Sequence, residues 1–201
     1  EMREEFLSKA FGSSKDAMEK FYQLIDGANN PLLSDHLIGG MYRALQKAYA
    51  VAEDEAVRKR LDDLAAYTHF VELYRAFADA GKSARQTTFD DLTEFSARIA
   101  DSGMVTTRGM LRDLPVRNKD VVLQEDLMAA AKTASSFGPV PSREELLAWV
   151  EEGSGKYPRL GFEPKAFSLD LVPLVKDPGL TDSAIESTLR LRGKNTLFTY
   201  L

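Results

Sequence analysis

Residues 55–80 constrain this chain more than any other stretch. Val57, Leu61, Leu64, Thr68, Val71 and Phe77 recur there at spacings of three, four or their multiples, the repeat of a single helical face. At about 1.5 Å per residue, the helix they predict is ~39 Å long. Only a short turn around Glu53-Asp54 separates it from an earlier helical stripe, Ile38, Met41, Ala44, Leu45, Ala48 and Ala52. Helices joined that tightly pack antiparallel. The fold class that follows is mainly α, a multi-helix antiparallel bundle or array.

The rest of residues 1–113 reads the same way. A first helix spans about 2–10 and ends at Phe11-Gly12, where glycine can take the left-handed conformation that closes a helix. Ser13 or Ser14 then caps a second helix to about Asp26, with Ala17, Met18, Phe21, Leu24 and Ile25 on one face. Gly27 to Pro31 is a loop. Ser34 caps the third helix, 35–52, and Asp35 adds negative charge to its first turn. Thr87 or Thr88 is expected to cap a fifth helix to about 101, and a shorter one is expected around Met104–Asp113. Residues 1–113 are thus predicted to form the helical core.

After Leu114-Pro115 the texture changes, and six of the eight prolines lie beyond residue 138. Residues 114–194 read as a helical and irregular, Pro/Gly-rich extension packed on that core. It carries helices at about 120–136 and 143–152, an irregular 153–180 with Phe162 to Ser168 extended, and a short helix at 181–191. Ser142 stands three residues before Glu145, the spacing of a capping box. Residues 195–201 alternate polar and apolar strand formers and are expected to open a further β-domain. The first residues are already helical in character and carry no signal-peptide core. Both ends lead to the expectation that this is a segment of a longer protein.

Composition narrows the function classes. The 26 Lys and Arg against 31 Asp and Glu give a net charge of −5, and no basic block stands out as a nucleic-acid footprint. No apolar run approaches the roughly 18 residues of a spanning helix. The absence of cysteine removes disulfides, thiolate nucleophiles and Cys-based zinc sites. It leaves the compartment undecided.

Candidate chemistry is sparse. His36 and His69 are the two histidines; they lack the one-turn spacing of a metal pair, and each reads as a hydrogen-bonded structural residue. Asp62-Asp63 and Asp90-Asp91 are adjacent on helices and so point in different directions, whereas glycoside hydrolysis needs two carboxyl groups about 5–10 Å apart across a sugar. A surface pair with Arg58 accounts for Asp62. A first-turn position in the fifth helix accounts for Asp90 and Asp91. The aromatics Phe21, Tyr22, Tyr42, Tyr67, Phe70, Tyr74 and Phe77 are spaced as interhelical core, with Tyr22 and Tyr42 as alternative groove-lining residues. Trp149 is expected to dock its helix onto the bundle. Gly39-Gly40 marks a close helix–helix approach. No catalytic, cofactor-binding or metal-binding residue is assigned, and the substrate-binding residues stay unknown.

The segment Phe6-Leu7-Ser8-Lys9-Ala10-Phe11-Gly12-Ser13-Ser14, continued by Met18 and Phe21-Tyr22, resembles the family called domain of unknown function 4838. The likeness extends through Leu33-Ser34-Asp35, Met41-Tyr42, the run from Arg60 to Thr68, and Val71 to Tyr74. It continues in the run from Pro141 to Leu146 and in that from Phe167 to Leu174. The family's members are large, glycoside-hydrolase-like proteins in which a barrel precedes a helical region and β-rich modules follow.

That resemblance implies a non-catalytic accessory module of a carbohydrate-active protein. Its partners would be a preceding barrel domain and a following β-domain of the same chain, with carbohydrate at a shared cleft. Since the family's catalytic acids belong to the barrel, none transfers to this segment. An extracytoplasmic location is compatible with the resemblance. Helical arrays also offer concave binding faces, so the alternative is a protein-interaction or dimerisation module that pairs with a partner or a second copy.

Overall fold

The computed structural model describes residues 2–27, 31–133 and 138–157. Its elements are α1 (Met2–Phe11), α2 (Lys15–Leu24), α3 (Asp35–Val51), α4 (Glu55–Asp79), α5 (Arg85–Arg98), α6 (Thr107–Arg117), α7 (Glu125–Thr133) and α8 (Arg143–Lys156). The protein is a mainly α, multi-helix array, with no strand among the described residues. The expected extended stretch at Phe162 to Ser168, the helix at 181–191 and the strand at 195–201 lie outside the described residues.

Capping explains where the best-defined helices begin. Ser34 Oγ accepts a hydrogen bond from Leu37 N at 3.3 Å. Asp54 Oδ1 accepts from Ala56 N and Val57 N at 2.6 and 3.3 Å. Ser142 and Glu145 form the full capping box, with Glu145 Oε2 accepting from Ser142 N at 2.8 Å. Each contact satisfies an amide that the first helical turn leaves without a partner.

Two other capping expectations fail. Ser14 precedes α2 but does not cap it. Its hydroxyl donates to Ala48 O at 2.8 Å, and that of Ser13 donates to Val51 O at 2.7 Å. These carbonyls belong to the last turn of α3, where acceptors lack helical partners. The turn that Gly12 opens with φ +49° is thereby fastened to the end of another helix. Thr87 and Thr88 do not start α5, which begins at Arg85. Thr88 Oγ1 donates back to Ala84 O at 3.0 Å, an acceptor on its own helix.

Three boundaries also shift. The sixth helix runs Thr107–Arg117 instead of about 104–113, and it continues through Pro115, which lacks the N–H of a helical residue. The next begins at Glu125, not at 120. Residues 153–156, expected to be irregular, continue α8 to Lys156.

α3 and α4 are antiparallel neighbours: Tyr49 bonds to Asp62 and Tyr42 to His69 and Glu72, so rising numbers on one meet falling numbers on the other. α8 lies across both. Arg143 at its start reaches Asp62, and Lys156 at its end reaches Glu72. It is therefore parallel to α4 and antiparallel to α3.

Buried side chains fall into two clusters. The first joins α1 to α4, α8 and the end of α5 through residues including Phe11, Met18, Phe21, Tyr42, Leu45, Leu61 and Leu64. The second gathers Phe77, Phe89, Leu92, Leu111, Val121, Leu123 and Leu127. Phe70 and Leu73 on α4 pack against both, so α4 is the shared spine. At its end Arg85 stacks its guanidinium 4.2 Å over the Phe77 ring and donates to Phe77 O and Asn118 Oδ1, both at 2.8 Å.

Candidate functional site

The most concentrated polar chemistry lies where α3, α4 and the end of α8 meet. Glu72 on α4 is the hub. Its Oε2 accepts from Tyr42 OH at 2.6 Å and lies 3.2 Å from His69 Nδ1; its Oε1 accepts from Lys156 Nζ at 2.8 Å and Tyr157 OH at 2.5 Å. A carboxylate has no proton to give, so the bond to His69 places the imidazole proton on Nδ1. Burial alone would raise the Glu72 pKa, but the bonds from His69, Lys156, Tyr157 and Tyr42 outweigh it and hold the carboxyl well below the ordinary glutamate value. Conversely, burial and the Glu72 charge push the Tyr42 and Tyr157 hydroxyls far above the usual tyrosine value.

His69 is sandwiched by carbon. Its ring stacks on Trp149 at 4.1 Å and an interplanar angle of 6°, and meets Phe95 edge-on at 4.9 Å. Trp149 thus docks α8 on α4, as its amphipathic position predicts, and His69 is hydrogen-bonded to Glu72. A polar hollow of 370 Å³ opens beside this cluster, bordered by Asp35, Arg75, Asp79 and Glu152. Arg75 bonds to Asp79 and to Leu33 O there.

A second polar anchor holds the other end of α8. Arg143 grips Asp62 with Nη2 at 2.7 Å and Nε at 3.0 Å, and Glu55 with Nη2 at 2.6 Å. Tyr49 OH completes Asp62 at 2.7 Å. Arg58 is not the partner expected for Asp62: its Nε donates to Ala52 O at 3.0 Å. Asp63 is raised by burial, with Lys59 opposing and Asp62 adding to the shift. Asp90 and Asp91 sit in the second turn of α5, because that helix starts earlier than expected; Asp90 accepts from Gln86 at 2.8 Å. Asp62 is thus taken up by Arg143 and Tyr49, and Asp90 by Gln86. His36, in the first turn of α3, is half-buried and remote from His69 in the chain. Among the described residues no group of three His, Asp or Glu side chains is placed to hold a metal ion.

A further hollow is apolar. A groove of 690 Å³ runs between α3, α4 and α6 at the seam of the two clusters. Tyr67, Phe70 and Tyr74 line it, not Tyr22 and Tyr42; Tyr42 is wholly buried. Gly39 and Gly40 do mark close approaches: a Cβ on Gly39 would come 2.5 Å from Tyr157 Cβ, and one on Gly40 2.9 Å from Leu24 Cδ1.

Sequence reasoning misses Glu72, Arg143, Lys156 and Tyr157. The spacing of His69 and Glu72, three apart on one helix, is the one local signal that could have singled out the hub. No helix among the described residues is long and apolar enough to cross a membrane. No family model matches the chain, and neither does any curated protein or solved structure.

Proposed function

We propose that this chain is a non-catalytic helical module of a larger carbohydrate-active protein, bracing a preceding barrel domain and orienting a following β-domain. One observation carries the non-catalytic part. Each oxygen of Glu72 already takes two partners, from His69, Lys156, Tyr42 and Tyr157. A general base needs a free lone pair within reach of a substrate proton, and this carboxylate offers none. The groups best suited to acid–base chemistry instead bind α8 to α3 and α4. The carbohydrate context is supported by the resemblance of the Phe6–Tyr22 and Arg60–Thr68 segments.

The test is an assay of the purified chain against a panel of aryl glycosides, beside a longer chain that carries the preceding barrel. Turnover is expected only from the longer chain. Turnover by the chain alone, abolished by Asp62→Ala or Asp91→Ala, overturns the reading.

A second reading, an interaction module, is favoured by the apolar groove at the cluster seam, since grooves of this kind accept the apolar face of a partner helix. Sedimentation of the chain across a concentration series discriminates self-pairing from a monomer.

A further inference from the structure

The groove between α3, α4 and α6 has a polarity that the bracing role leaves unused. Its 690 Å³ falls within the ~300–1,000 Å³ of small-ligand pockets. Leu37, Val71, Met110 and Leu114 make apolar walls, while Thr106, Asp113 and Arg117 on the α6 side supply polar groups. Asp113 is already engaged by Arg112, at 2.7 and 3.3 Å. Arg112 lies just outside the lining; counted with it, this side of α6 sets two guanidiniums, Arg112 and Arg117, against the one carboxylate of Asp113, which both hold below its usual range. The whole of α6 carries Arg108, Arg112 and Arg117 against the single acid Asp113, in a chain of net charge −5. The groove is thus a hydrocarbon slot with a cation at one edge.

The geometry points to a binding site for a long-chain carboxylate, its tail along the Leu37, Val71 and Met110 walls and its head against Arg117. This site is independent of the bracing reading, and its ligand would compete with a partner helix for the same groove. A tail of that kind gains from leaving water in proportion to its buried apolar area, and guanidinium binds carboxylate with planar, charge-assisted hydrogen bonds. A sugar fits less well, because its hydroxyls would lose water against walls that return few hydrogen bonds. The three aromatics of the groove, Tyr67, Phe70 and Tyr74, pack against one another, with ring centroids 6.5 Å apart for Tyr67–Phe70 and 6.3 Å for Phe70–Tyr74.

The experiment titrates the full chain with dodecanoate below its micelle concentration, with dodecanol and dodecylammonium as matched tails of other charge. Methionine methyl resonances are followed throughout. Saturable binding with a stoichiometry of one is expected, shifting Met41 and Met110 but not Met2 or Met128. Dodecanol and dodecylammonium should bind at least tenfold more weakly, and Arg117→Glu should weaken dodecanoate by a similar factor. Arg117 is exposed, so that variant tests the head-group contact without disturbing the core. Absence of saturable binding, shifts at Met2 or Met128 in place of Met41 and Met110, or equal affinity for dodecanol each overturns the assignment.

Discussion

Gly153 of α8 lies flat against the ring of Tyr42 on α3, and a Cβ at that position would overlap ring atoms Cδ2, Cε2 and Cγ. Tyr42 cannot yield, because its ring is fully buried and its hydroxyl is tied to Glu72. The glycine sets how closely α8 approaches α3.

Gly153→Ala is therefore expected to destabilise the protein, although alanine is the better helix former by about 1 kcal/mol. Overpacking of a closed core costs about 1–3 kcal/mol. Gly155→Ala, which meets nothing within 4 Å, is the control and should be neutral or stabilising. The denaturant midpoint should fall for Gly153→Ala and hold or rise for Gly155→Ala; an equal fall in both would place the contact elsewhere.

Glu72 predicts an acid limb in the stability profile. Its folded pKa lies below the ordinary value of 4.5, so its contribution is complete above about 4.5. That contribution is lost as the pH falls toward the depressed folded value. Glu72→Gln should flatten this limb. Melting curves from pH 6 to pH 2 for both proteins check it, and parallel profiles would refute the role of the carboxylate.

Tyr42 and Tyr157 predict the opposite limb. Their folded values are raised above 10.0, so their contribution is complete below about 10 and lost as the pH climbs further. Tyr42→Phe should shallow the alkaline decline, measured by unfolding between pH 8 and pH 11. It should also cost about 1–3 kcal/mol at neutral pH, as a bond to a charged acceptor disappears.

Leu64 is buried in the first cluster while Val71 is half-buried at the groove. Leu64→Ala should cost about 2–5 kcal/mol, the range for large-to-small changes in a closed core. Val71→Ala should cost clearly less, since its site already borders open space. Equal costs in urea titrations would mean that the groove is closed in solution.

Legibility in the sequence follows the range of the forces. Ser34, Ser142 and Glu145 are readable because a cap acts within three residues, and the face of α4 is readable because its repeat is local. Gly39-Gly40 is readable as a close approach from its composition alone, although its neighbours Tyr157 and Leu24 lie far off in the chain. The end of α8 is not readable. Glycines at 153 and 155 each lower helix propensity, and what offsets this at 153 is a ring on α3 that no local window contains. Ser13 and Ser14 mislead similarly: their composition suits a cap, but the carbonyls at the end of α3 compete for the hydroxyls and win. The Glu72 hub depends on Lys156 and Tyr157, 84 and 85 positions away, and long-range pairs of this kind leave no periodic trace.

α4 supplies Leu61 and Leu64 to one cluster and Phe77 to the other, with Phe70 and Leu73 touching both. Neither half can melt by itself unless this helix breaks in its middle, which would expose Phe70 and free several backbone bonds at once. Heat should then meet one cooperative transition and not two. The last amides to exchange with deuterium should be those around Thr68–Leu73, far from either end of the rod.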